Sequence, residues 1–91
     1  ERLEKLLLDI GQFGRPLALE LKETDLVALC QEALEVYRPR LEENGIQIVF
    51  KAPEQPLWVP LDELRFKEVL FNLMQNALEA MPQGGTLELE I

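Results

Sequence analysis

The chain has no histidine among its 91 residues, which removes imidazole from any general acid–base, nucleophilic or metal-ligating role within them. Its one cysteine, Cys30, excludes an intrachain disulfide and fits a reducing, cytoplasmic setting. Leu26, Leu29 and Ala33 flank that cysteine at helical spacing, so it reads as a small buried hydrophobe. Apolar runs stay far short of the roughly 18 residues of a membrane span, and no signal-peptide pattern opens the chain. No membrane contact is expected of this segment. Positive charge is scarce: nine Lys and Arg stand against seventeen Asp and Glu, a formal charge of -8. A field of that sign repels a phosphate backbone and argues against nucleic acid as a partner. It also means that any nucleotide held here needs a cation to screen its phosphates. Internal repeats and low-complexity tracts are absent as well.

What is present is the composition of a folded domain, 47% hydrophobic and 29% charged, sized for one small domain or a piece of a larger one. Leu3, Leu6, Leu7 and Ile10 predict a helix over residues 1–13 whose leucine stripe packs on a partner helix. That helix has no capping residue, as if entered partway, and Gly11, Gly14 and Pro16 stop it. Leu17, Leu19 and Leu21 alternate, predicting a short strand from Pro16 to Lys22. Asp25 is an N-cap for a helix over 26–43 with an apolar face of Leu26, Leu29, Cys30, Ala33, Val36, Tyr37 and Leu41. Pro39 inside it should kink or shorten it, and Asn44-Gly45 is its stop.

Ile46, Ile48 and Phe50 alternate with Gln47, Val49 and Lys51, predicting a strand. Residues 52–60, with three prolines, form a loop holding a short extended piece at Leu57-Trp58-Val59. Trp58 reads there as an aromatic packed over the sheet edge rather than as a binding surface. Asp62 starts a long helix to about Met81, residues 82–85 turn, and Leu87, Leu89 and Ile91 mark one face of a last strand from Thr86. The order gives an α+β fold with two helices on one face of a mixed sheet. Its last strand, unpaired at Ile91, implies that the natural polypeptide continues.

The long helix is apolar around most of its circumference, with Phe66, Val69, Leu70, Leu73, Met74, Ala77, Leu78, Ala80 and Met81. Glu68, Asn72, Asn76 and Glu79 are spaced by four, four and three, so they stack on one narrow face. Periodicity alone describes an amphipathic helix with a solvated polar side. Two carboxamides on an otherwise buried helix must find partners, because an unpaired buried amide costs about 1–3 kcal/mol.

The motifs Asp62-Glu-Leu-Arg65, Asn72-Leu-Met-Gln-Asn76-Ala77 and Pro82-Gln-Gly84-Gly85 stand in the order and spacing found in sensor histidine protein kinases. Phe13-Gly-Arg-Pro16, Thr24-Asp-Leu26 and Asn44-Gly-Ile46 are similar to the stretch that joins the dimerization helix to the catalytic domain in that family. The chain thus resembles the GHKL, or Bergerat-fold, ATPase superfamily, and Asn76-Ala-Leu-Glu-Ala-Met81 looks closest to the nitrogen-regulation branch.

The resemblance implies a partial Bergerat-type α/β sandwich preceded by the end of a coiled-coil dimerization helix. Residues 1–16 would close the phosphoacceptor hairpin and linker, and 17–91 would form the N-terminal half of the ATP-binding domain. The resemblance also implies ATP and magnesium as ligands, with Asn72 and Asn76 on the nucleotide and the Asn76 carboxamide oxygen on the metal. It implies a homodimer formed through the dimerization helices and a response regulator receiver domain as partner.

Glu79 departs from the basic residue common in the family, so no phosphate contact is carried over to it. The phosphoacceptor histidine and the Asp-x-Gly-x-Gly motif are both missing from these residues, so the isolated chain is expected to be inactive. ATP-hydrolysing relatives carry a glutamate as general base where this chain has Asn72, which cannot take a proton; a donor to histidine needs no such base. Two alternatives remain at this level: a non-enzymatic helical dimerization module, and an ATP-hydrolysing relative.

Overall fold

The computed structural model describes Leu3 and residues 20–91. Leu3 is helical and buried; the rest of the expected helix over 1–13, and residues 16–19 of the first expected strand, lie outside the described residues. Within them the chain forms β1 (Lys22–Asp25), α1 (Leu26–Glu43), β2 (Ile46–Lys51), β3 (Trp58–Leu61), α2 (Glu63–Ala80) and β4 (Gly85–Glu90). The first strand begins at Lys22 rather than ending there, because its partner β3 lies antiparallel to it from Lys22↔Leu61 to Asp25↔Trp58.

The α+β class expected from the sequence holds. Its strands divide into two ladders, the antiparallel β1–β3 pair and a parallel β2–β4 pair running from Ile46↔Gly85 to Lys51↔Glu90. Pro60 lies inside β3, and a proline is tolerated in a strand at an edge, where its missing N–H breaks no ladder. Lys51 Nζ lies 2.7 Å from Glu88 Oε1 across the parallel pair. That hydrogen bond holds Lys51 above and Glu88 below their ordinary values, but both are exposed and the pair adds little stability.

Local chemistry sets the ends of both helices. The Asp25 carboxylate accepts from Val27 N at 3.1 Å, capping α1, and the same oxygen accepts from Leu57 N at 3.1 Å. Leu26 N returns a bond to Leu57 O at 2.8 Å, so the cap also ties α1 to the chain entering β3. Asn44 and Gly45 close α1 as expected, with Gly45 at φ 73 in the left-handed region that glycine tolerates. Pro39 neither ends nor shortens the helix.

The apolar face of α1 differs from expectation at two positions. Leu34 is buried and Val36 is 63% exposed, so the buried side of α1 runs through Leu34 and Leu41, seven residues apart. The core joins these residues to Ile46, Leu61, Leu87, Leu89 and the Phe66–Leu70–Met74–Ala77 stripe of α2. Phe71, outside the expected stripe, packs on Tyr37 with ring centroids 5.5 Å apart, and the Arg40 guanidinium lies over Tyr37.

Replacing Asp25 by Ala orphans two backbone donors and should cost about 1–2 kcal/mol in urea denaturation, with Asp25→Asn costing less. Burial, with Asp25 a smaller contributor, pushes the Cys30 thiol up from its ordinary 9.0 to about 12. The folded chain therefore keeps this proton to higher pH than the unfolded one. Its contribution to stability is complete below pH 9.0 and is lost as pH rises through about 12. Urea midpoints measured across that range should fall, and Cys30→Val should flatten the fall.

Candidate functional site

The apolar side of α2 determines where its amides point. Asn72 and Asn76 each follow a buried residue, Leu70 and Met74, by two positions, which rotates them about 200° away from the core. Both are exposed, as are Arg65, Glu68 and Glu79 on the same stripe. Among the described residues neither carboxamide makes a hydrogen bond. The expectation of buried amides in search of partners is thus corrected: both groups are exposed to solvent. Gln75, one residue before Asn76, is turned toward α1 and accepts from Arg40 Nη2 at 3.2 Å. The Tyr37–Phe71 contact and the Lys67–Glu32 ion pair at 3.6 Å hold the same side of α2 against α1. The asparagine stripe therefore occupies the flank of α2 that α1 leaves uncovered.

Asp62 anchors the start of this helix. One carboxylate oxygen accepts from Arg65 N at 3.2 Å, the N-cap bond, and the other accepts from Glu20 N at 3.1 Å. At the far end, Gly84 (φ 97) and Gly85 return the chain into β4, and Gly84 needs the absence of a side chain. A Cβ on Gly84 would come within 2.9 Å of Gly45 O, and one on Gly85 would run into Met81 Sδ. Gly85 N donates to Gly45 O at 3.3 Å, so the turn after α2 docks backbone to backbone on the turn after α1. This junction starts the parallel ladder at Ile46↔Gly85 and ties the amide-bearing helix to the sheet.

Among the described residues no three of His, Cys, Asp and Glu converge on a possible metal position. Two exposed carboxamides one helical turn apart, Asn72 and Asn76, offer neutral, hard oxygen donors on this flank. Residues missed from the sequence are Trp58, exposed rather than packed over the sheet edge, and the Gly45–Gly84 contact. The left-handed preference of Asn44-Gly45 and of Gly84-Gly85 was the available signal for the second; which turns meet is a tertiary fact.

No family model matches the chain. It is 32% identical to the adaptive-response sensory kinase SasA of Synechococcus sp. (strain JA-3-3Ab), an alignment covering 99% of this chain and 25% of that protein. It is 30% identical to sporulation kinase A of Bacillus subtilis (strain 168), covering 99% of this chain and 15% of that one. The catalytic domain of histidine kinase ThkA superposes with a TM-score of 0.73 at 30% identity, over 79% of this chain and 49% of that domain. ThkA in complex with the response regulator protein TrrA gives the same TM-score over 97% of this chain and 26% of that one.

The fold is that of a histidine kinase catalytic domain. The chain belongs to the sensor histidine kinases of the GHKL superfamily. It spans about a quarter or less of the length of the curated relatives it matches. No helix among the described residues is long and apolar enough to cross a membrane.

Removing the conformational freedom at Gly84 tests the junction. Gly84→Ala should lower the unfolding free energy measured in urea by more than about 1 kcal/mol, because it adds both a close contact and a strained φ.

Proposed function

We propose that the protein carrying this chain binds ATP with magnesium on the exposed flank of α2. It passes the γ-phosphoryl group to a histidine outside these residues, and then to an aspartate of a response regulator receiver domain. In the first transfer a bond forms from the histidine nitrogen to the γ-phosphorus, the bond to the bridging oxygen breaks, and ADP leaves. Asn76 presents its carboxamide oxygen to the metal, and Asn72, one turn earlier, donates a hydrogen bond to a phosphate or a metal-bound water. Magnesium, when bound, supplies neutralisation of phosphate charge. Catalysis of phosphoryl transfer rests on position and charge, so neutral amides on a rigid helix are adequate tools.

The observation that carries this reading is the pairing of Asn72 and Asn76 on the uncovered side of a helix whose other sides are buried or packed on α1. The ThkA catalytic domain is about twice the length of the part matched here, which leaves room for a second wall to the cleft. The ThkA–TrrA complex supports a receiver domain as partner. Homodimerization through the dimerization helices, a cytoplasmic location, and division into the end of the helical hairpin with its linker (1–16) and the catalytic half-domain (17–91) belong to the same reading. So does inactivity of the isolated 91 residues. Asn72 in place of a glutamate base favours transfer to histidine over ATP hydrolysis.

Because Asn76 is exposed and unbonded, Asn76→Ala should leave folding intact or raise stability by about 0.5 kcal/mol, the helix-propensity difference. In the longer natural protein the same change should abolish magnesium-dependent ATP binding and autophosphorylation. Nucleotide titration and a phosphohistidine filter assay read the two effects. Undiminished phosphorylation would remove Asn76 from the site, and steady phosphate release without phosphohistidine would favour a hydrolase.

A further inference from the structure

Trp58 opens β3 opposite Asp25 and is 62% exposed, away from the asparagine stripe. A lone exposed aromatic is ordinary and carries nothing by itself. This one lines an open groove of about 310 Å³ whose apolar part is Ala28 and Leu29 of α1 and whose rim is acidic. Glu23, Asp25, Glu32 and Glu63 line the groove, against Lys22 on the rim and Lys67, which reaches both Glu32 and Glu63 at 3.6 Å. Four carboxylates against two ammonium groups leave two negative charges in excess. Glu23 forms no ion pair among the described residues, and the Asp25 carboxylate is held in place by its two backbone donors.

We propose that this groove docks an arginine- or lysine-bearing segment of a partner protein. The cationic head lies over the Trp58 indole beside Glu23, and its aliphatic stem lies on Ala28. Indole is the best aromatic partner for a cation, and the carboxylate rim supplies the complementary field. A phosphate-bearing ligand is repelled by the same rim, and a second copy of a chain with net charge -8 is disfavoured on the same ground. The docking surface is separate from the proposed nucleotide flank and does not rest on it.

Trp58 is the one tryptophan of the 91 residues, so its fluorescence reports directly on the groove. The 91-residue chain is titrated with an end-blocked Arg-Leu-Arg peptide and with its Gln-Leu-Gln and Glu-Leu-Glu counterparts. The arginine peptide should produce a saturable change in emission that weakens as salt is raised, and the other two should not. Glu23→Gln, at an exposed position and checked for folding by circular dichroism, should weaken binding about two- to fivefold, the effect of one exposed ion pair. The proposal is overturned by the absence of a saturable change, by an equal response to the glutamine peptide, or by a Glu23→Gln variant that binds as tightly as the parent.

Discussion

The burial of one stripe of α2 orients everything else in this segment. Phe66, Leu70, Met74 and Ala77 recur at intervals of four, four and three, and all lie at the centre of the core. Large buried side chains of this kind contribute about 1.5–3 kcal/mol each relative to exposure, more than any polar contact here. Once they face inward, the rotation of α2 is no longer free. Phe71 and Gln75 must meet α1, and Asn72 and Asn76 must face away from it. The candidate site is therefore a consequence of hydrophobic packing on the opposite side of the same helix, not of any interaction between the asparagines themselves.

Backbone contacts then place that helix lengthwise. Asp62 fixes its start and receives the Glu20 amide, so the chain leading into β1 is held against the N-terminus of α2. At the other end the two glycine turns touch without side chains between them, and the parallel ladder begins at that contact. Asp25 does comparable work for α1, joining its first turn to the chain before β3. Three short-range devices thus connect two helices and two ladders. None buries much area, but each satisfies backbone groups that would otherwise lie unpaired at an element end.

The charge distribution separates two surfaces. On the exposed flank of α2, neutral amides stand between Glu68 and Glu79. Around Trp58 the carboxylates outnumber the lysines and have an aromatic face among them. The first belongs to a fold that matches a histidine kinase catalytic domain. The second rests on the local chemistry of this chain.

Much of this was legible in the residues alone. The limits of α1 and α2 follow from Asp25, Asp62, Asn44-Gly45 and Pro82, which act on neighbouring backbone, and the four-residue spacing of Asn72 and Asn76 places them on one face whatever surrounds the helix. The alternation in β2 and β4 is likewise local. What the sequence could not decide was which groups come together through space. The split into two ladders, the exchange of Val36 for Leu34 on the buried face, the exposure of Trp58, and the outward rotation of the two amides all depend on contacts between residues far apart in the chain. Caps and periodicity are set by bonds and angles within a few residues, whereas burial is set by whatever the tertiary fold brings alongside.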